Sequence, residues 1–405
     1  MIFRTLDRVV YLLAVGFVWS NCVQNPPLAN AAWPLSGEWV GDSAQQRVSK
    51  FDLQNKNAIP ATVEDVQRIV ARDKGKPDVD VARQLSGLEL TEKMSSAKLK
   101  LLERDVPGTK SRWALVALAD ASVFLRPAAA NVLPQAPPDA DEQQRMIGLT
   151  RKYVDKTLPK LPNFYATRTT IRFEGLESWR PAKAGFHNDS SWRQVGSSTV
   201  VVAYRNGKEV VDPSEWGEHP SHPEGDGMSA RGIFGPILSV VIFDAEDGEM
   251  TWDRWERGSA GTLAVFRYRV PQEHSHYSIG IRSRSSDERG AVQATEYHGE
   301  VAIDPGSGTI LFLTGQADQP LGSPILRSDI MVEYGPVELG GKTYTCPIRS
   351  VAIGLDSMEF MGVYPFGQSA PTSHVTLLRD GTYGDYHLFR ADARILTGNN
   401  PAPDR

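Results

Sequence analysis

Along residues 60–126 apolar side chains return every three or four positions, and from about 164 to 396 they return every second one. The first spacing lays a stripe along a helix and the second lays one face on a strand, so helices are expected first and a sheet after them. In TVEDVQRIVARDK, Val63, Val66, Ile69 and Val70 share a helical face, Thr62 is placed to cap it, and acids fill the first turn. DVARQL and SSAKLKLLERD are shorter candidates, the second stopped by Pro107-Gly108. KSRWALVALADASVFL is the strongest, with Leu115, Leu118, Ser122 and Leu125 three or four apart. Together these stretches predict a small all-α domain of three or four helices.

The next residues, RPAAANVLPQAPPDADE, hold Pro127, Pro134, Pro137 and Pro138 and predict a stiff linker and a domain boundary over 127–140. EQQRMIGLTRKYVDKTL then reads as one helix leading a β-rich domain over 141–396. Four turn-marked pairs follow in order: Asn206-Gly207 in STVVVAYRNGKEVV, the Asp-Gly of VVIFDAEDGEMTW, Asp304-Pro305-Gly306, and Gly340-Gly341. They predict an antiparallel meander, interrupted by a long Gly-, Pro- and His-rich loop over 215–232. The expected class is α+β: a curved, half-barrel-like antiparallel sheet with a packed helix, preceded by the helical domain. Residues 32–59 read as an N-terminal linker, and the tail 397–405 as disordered.

The N-terminus changes the expected compartment. Arg4 and Arg8 precede the apolar run Val9–Trp19, and Ala29-Asn30-Ala31 offers small residues at cleavage spacing. That run is too short for the ~20 residues of a membrane-crossing helix. Residues 1–31 are therefore expected to be an export signal cut between Ala31 and Ala32, leaving a secreted or periplasmic protein without a stable transmembrane segment. The bulky Trp19 and polar Asn21 before Cys22 argue against a lipid-attachment box. Cleavage would leave Cys346 as the lone cysteine, so no internal disulfide is expected. With a net charge of −5 and no Lys/Arg block, the 405-residue chain lacks the electrostatic footprint of a nucleic-acid binder.

Few residues suggest chemistry. G-x-S-x-G, P-loop, G-x-G-x-x-G and H-E-x-x-H patterns are missing, and no cofactor is expected. DAEDGEMTWDRWE puts Gly248 and Met250 at the wrong places for a calcium loop. His219 and His222 are each followed by proline, which removes the helix that usually presents such a pair. Cys346 alternates with Tyr344 and Ile348 and reads as a core thiol. Trp179, Trp192, Trp216, Trp252 and Trp255 all fall in the β-rich region, and Trp252 and Trp255 are candidates to line an apolar ligand site.

The pair His274 and His276, in FRYRVPQEHSHYSIGIR, poses the sharpest question. Alternation puts them on the outer side of a strand, where His298 and Glu300 of TEYHGEVAI could join them as metal ligands. Arg267, Arg269 and Arg282 lie on that same side, where they repel a cation and pair with glutamates. A solvated face laced with charge pairs is the expected outcome.

The blocks QLSGLELTEKMSSAKLKLL, ALVALADASVFLRP, LPNFYATRTTIRFE, VEYGPVELGGKTYTCPIRSVAI and GDYHLFRADARIL resemble a group of uncharacterised secreted proteins of soil bacteria, which implies no activity. The helix EQQRMIGLTRKYVDKTL followed by YHGEVAIDPGSGTILFLT resembles, in architecture, the LolA/RseB-type half-barrel of lipoprotein carriers and envelope sensors. That likeness implies a curved sheet holding helices or acyl chains. The helical domain and the loop at 215–232 depart from it. The function expected is a non-enzymatic exported protein whose sheet binds an apolar or envelope-derived ligand, or an envelope protein. Two rivals stay open: a metal-dependent hydrolase using His274, His276, His298 and Glu300, and a protein-interaction module docking through its helices.

Overall fold

The computed structural model describes residues 8–14, 58–156, 158–177, 192–206, 208–211, 236–259, 261–283, 292–318, 325–359 and 372–389. The residues proposed for signal cleavage, Ala31 and Ala32, lie outside these, as do Cys22, Trp179, Trp216, His219, His222 and the tail.

The helical stretch holds a two-stranded pair, β2 (Ile59–Ala61) with β3 (Leu88–Leu90), and four helices: α1 (Val63–Asp73), α2 (Asp78–Ser86), α3 (Ser96–Leu102) and α4 (Thr109–Ala121). Thr62 caps α1 in the expected way, its Oγ1 accepting from the Asp65 N–H at 3.1 Å while Asp65 Oδ2 accepts from the Thr62 N–H at 2.9 Å. Val66 and Val70 are buried on the expected face. In α4 the run Ala114–Asp120 is buried throughout, which marks a helix enclosed on all sides.

After α5 (Ala140–Lys156) come β4 (Phe164–Glu177), β5 (Trp192–Arg205) and β6 (Lys208–Val211). Then follow α6 (Pro236–Asp247), β7 (Glu249–Arg257), β8 (Thr262–Val270), β9 (Tyr277–Ser283), β10 (Val292–Ala294), β11 (Tyr297–Ile303) and β12 (Ile310–Ala317). β13 (Ile325–Leu339), β14 (Lys342–Glu359) and β15 (Thr372–Leu388) complete the order. Ten of the described strands form one open sheet, ordered β6-β5-β4-β15-β14-β13-β12-β11-β8-β7, and each neighbouring pair is antiparallel. The protein is thus α+β. β11 to β15 are the meander, and β4 closes onto β15 across the whole helix-to-sheet span of sequence.

Turn chemistry fixes register where it was expected. Gly340 and Gly341, at φ 60° and 79°, are the central pair of the β13–β14 hairpin, and a Cβ on Gly340 would strike Leu388 Cδ1 at 2.4 Å. Asn206, at φ 50°, turns β5 into β6. The Asp-Gly of VVIFDAEDGEMTW behaves otherwise. PILSVVIFDAED is helix α6, and Gly248 stands between it and β7. Ile237, Leu238, Val241, Ile242 and Ala245 are buried at helical spacing, so a 3.6-residue period overrode the turn signal of two residues.

A second sheet joins β9 to β1 (Arg8–Ala14) on one side and to β10 on the other. Part of the apolar run read as an export signal is therefore strand here. No helix among the described residues is long and apolar enough to cross a membrane.

Helices cover both faces of the large sheet. On one, α5 and α6 pack Met146, Tyr153, Val154, Ile237, Val241 and Ile242 onto Phe266, Tyr297, Val301, Leu313 and Val332. On the other, α1 to α4 share a continuous core with Phe173, Met331, Val351, Ile353 and Leu378 of the sheet. Burying those five sheet side chains is worth on the order of 10 kcal/mol, which matches the whole stability of an ordinary domain. The proline-rich stretch after α4 is tied down as well. The Leu133 N–H donates to the Trp255 carbonyl at 3.0 Å, and Trp255 Nε1–H donates to the Ala136 carbonyl at 2.9 Å, so the stretch covers the edge strand β7.

Arg349 of β14 crosses between the layers. Its guanidinium donates to Asp380 of β15 at 2.9 Å, to Ser96 Oγ of α3 at 2.6 Å, and to Asp120 of α4; Ser96 Oγ–H in turn donates to Glu333 of β13 at 2.6 Å. Burial alone would weaken the hold of Arg349 on its proton, but the surrounding carboxylates outweigh it and keep the guanidinium charged. Asp120, fully enclosed, is the group that yields: burial, then the charge of Asp380, raise its carboxyl well above the ordinary value. Its Oδ2 has no hydrogen-bond partner. Arg349→Met should therefore destabilise the fold by about 3–5 kcal/mol, because it strands buried carboxylates. Asp120→Asn, which mimics the protonated acid, should cost less than about 1.5 kcal/mol. Urea unfolding of both variants checks the contrast; equal losses would contradict it.

Candidate functional site

The alternation around β8 and β11 is as the sequence suggests. Phe266, Tyr268, Val270, Tyr297, Val301 and Ile303 are buried on the α5/α6 side, and Arg267, Arg269, Glu296, His298 and Glu300 occupy the opposite face. That opposite face is not the open, solvated surface expected. It is where the helical layer is anchored, and its charges are spent on that task. Arg254 donates to Glu300 at 2.8 Å and 3.0 Å and to Glu256 at 2.6 Å. Arg267 lies 3.7 Å from Glu300 and 3.3 Å from Asp253. From the helical side Lys93 reaches Glu256 at 3.1 Å and Arg126 reaches Asp253 at 3.1 Å. Burial would raise the Glu300 carboxyl, but Arg254 outweighs it and holds the carboxyl below its ordinary range.

His298 lies two residues along the same face, opposite Arg269 on β8 and Gln316 on β12, which in turn faces Asp329 on β13. Its Nδ1 sits 3.0 Å from Asp318 Oδ2. Burial lowers the tendency of this imidazole to take a proton, yet the hydrogen bond to Asp318 and the charges of Asp318 and Asp329 outweigh it, and the pKa is raised.

His274 and His276 are not part of this group, so the four residues of the rival metal reading are not brought together. β11 pairs with β8, while β9 leaves the large sheet, and both histidines precede β9 in a single 3-10 turn and the two residues after it. His276 instead meets α6. Its Nδ1 lies 2.6 Å from Asp244 Oδ1 and its backbone N–H donates to Asp244 Oδ2 at 2.8 Å. Tyr297 Oη–H donates to that same oxygen at 2.8 Å. Among the described residues no group of three or more His, Cys, Asp and Glu side chains is placed to hold a metal ion.

Trp252 and Trp255 stack edge to face at 4.7 Å, and Trp252 packs on Phe266 at 5.4 Å. They seal the edge of the core beneath the proline-rich stretch. Cys346 is buried on the α5/α6 side, and burial pushes its thiol up to about 12, which suits a core residue and not a nucleophile.

The feature that sequence reasoning missed is a cleft where α5 and α6 meet the sheet. Ile147, Ile242, Met250, Phe266, Val301 and Ile303 line it, with Thr150 and Arg151 of α5 beside them, around about 330 Å³ of space that includes open solvent. Gly308, at φ 72°, sets α5 there: a Cβ would lie 2.4 Å from the backbone of Leu149 and Thr150. Asp244 was missed for the same reason as α6, since its segment was read as a hairpin. The four-residue repeat of apolar positions in PILSVVIFDAED carried the signal.

The raised pKa of His298 sets a pH dependence. Its pairing contributes stability fully below about 6.5, the value in an unfolded chain, and that contribution is lost as pH rises through the higher folded value. The difference in melting temperature between the wild type and His298→Gln should shrink between about pH 6 and pH 9; a difference that is constant or grows contradicts the pairing.

No protein-family model, curated protein or solved structure matches the chain, so a functional reading rests on the geometry of its own residues.

Proposed function

We propose that this is an exported, non-enzymatic binding protein that takes the apolar end of a ligand, such as an envelope-derived acyl chain, into the cleft between α5, α6 and the sheet. The observation that carries the reading is the lining of that cleft, six apolar side chains with Arg151 beside them. Ligand sites are mostly apolar with a few placed polar groups. Arg151 beside the slot is half-exposed and lies 3.9 Å from Asp155, so a ligand with an anionic head would share it with that carboxylate. Export is supported by the sequence of residues 1–31, and the LolA/RseB-like reading by α5 and α6 on one face of an open antiparallel sheet, while the helical layer on the other face departs from it.

A partner-protein reading is favoured by a different observation. Near one end of β4, Tyr165 and Phe389 are exposed and lie 6.1 Å apart, with His387 5.2 Å from Tyr165 and Arg205 3.8 Å over the Phe389 ring. Exposed aromatics with an arginine are common in protein interfaces.

The cleft is tested with a dansyl-labelled undecanoic acid and purified mature protein. Saturable one-to-one binding is expected, weakened about tenfold, roughly 1.4 kcal/mol, by Ile147→Glu, which puts a carboxylate in the slot. Non-saturable binding, or equal affinity in the variant, would remove the proposal.

A further inference from the structure

We propose that His276, together with His274, forms a solvent-facing site for a late first-row divalent metal ion, Cu²⁺ most strongly, with Asp244 holding the His276 ring from behind. The site is independent of the apolar cleft. Asp244 is enclosed, with only 1% of its side chain exposed, whereas 67% of the His276 side chain is exposed. Asp244 Oδ2 already accepts from two donors, and with Oδ1 accepting in the same way the 2.6 Å contact makes His276 Nδ1 the donating nitrogen. The lone pair is then on Nε2, at the far corner of the ring, and no described residue takes it. This is how proteins hold imidazoles that ligate metals: a carboxylate behind Nδ1 fixes the tautomer, orients the ring and raises the basicity of Nε2.

Three more contacts make the support rigid. The His276 N–H and Tyr297 Oη–H both donate to Asp244 Oδ2, and Tyr297 is fully buried, its ring 5.1 Å from that of Tyr277. The carboxylate is thereby fixed by a helix, a strand and the turn at once. His274 supplies a second imidazole. It is exposed, and it flanks Ser275, which is extended at φ −82° and ψ 126°. Side chains on either side of an extended residue project to the same side, which is the basis for adding His274 to the site. With two imidazoles and water completing the shell, affinity follows the general order that peaks at Cu²⁺. A purely structural Asp244, one that only anchors the turn to α6, gives no such affinity.

The test is titration of the full, chelator-treated chain with Cu²⁺ alone, followed by calorimetry and electron paramagnetic resonance. One equivalent should bind, with nitrogen couplings in the spectrum. His276→Gln should abolish this binding, and because the ring is exposed the variant should fold. His274→Gln should weaken it. Asp244→Asn should weaken it about 10–100-fold, with the circular dichroism spectrum confirming the fold; should that variant unfold, the two histidine variants decide the matter. His298→Gln should leave it unchanged. Failure of the wild type to bind one equivalent, or binding undiminished in His276→Gln, would overturn the site. Equal affinity in folded Asp244→Asn would overturn the role of Asp244.

Discussion

The helical layer is fastened to the sheet around a buried cation. The guanidinium of Arg349 stands between the sheet and the helical layer, with Asp380 on its own side, Asp120 and Ser96 on the other, and Glu333 held through Ser96. An enclosed charge is tolerated only when its partners are placed for it, so each of these groups constrains the others. Strands β13, β14 and β15 and helices α3 and α4 each place a group against this one side chain. A second set of pairs, joining Lys93 and Arg126 to Glu256 and Asp253, repeats the device at the far edge of the sheet. Between the two lies an apolar core, which supplies most of the free energy while the charges supply the alignment.

The helical layer covers the charged face, and the two proposed sites lie under α5 and α6 and at the turn beside them. Helix α6 serves both. Ile242 forms a wall of the apolar cleft, and Asp244, two residues on, reaches His276 and Tyr297. α5 is seated by the β11–β12 loop, where Gly308 admits its backbone and Arg145 donates to the Pro305 carbonyl at 3.0 Å.

How much of this was legible depended on distance along the chain. Local signals were readable: the Thr62 cap, the Gly340-Gly341 turn, the alternation through Phe266–Val270 and Tyr297–Ile303. Asp-Gly after VVIFDAE misled because a two-residue turn signal competed with a helical period over twelve residues, and the longer pattern won. Pairing was not readable. Alternation gives the face of His298 and Glu300 but not what covers it, and it assigns no partner to β9, which departs into another sheet and carries His276 to the opposite side. Arg349 and Asp120 looked like ordinary members of a strand and a helix. Only the fold, which brings positions 229 apart in sequence into contact, reveals them as a pair.

The central claim is that the helical layer and the sheet are one cooperative body fastened through Arg349. Scanning calorimetry of the chain, paired with native-state hydrogen exchange, tests it most directly. A single transition with equal calorimetric and van't Hoff enthalpies is expected, with the amides of α4 opening at the same free energy as those of β14. Two separate transitions, with the helices exchanging well before the sheet, would contradict it.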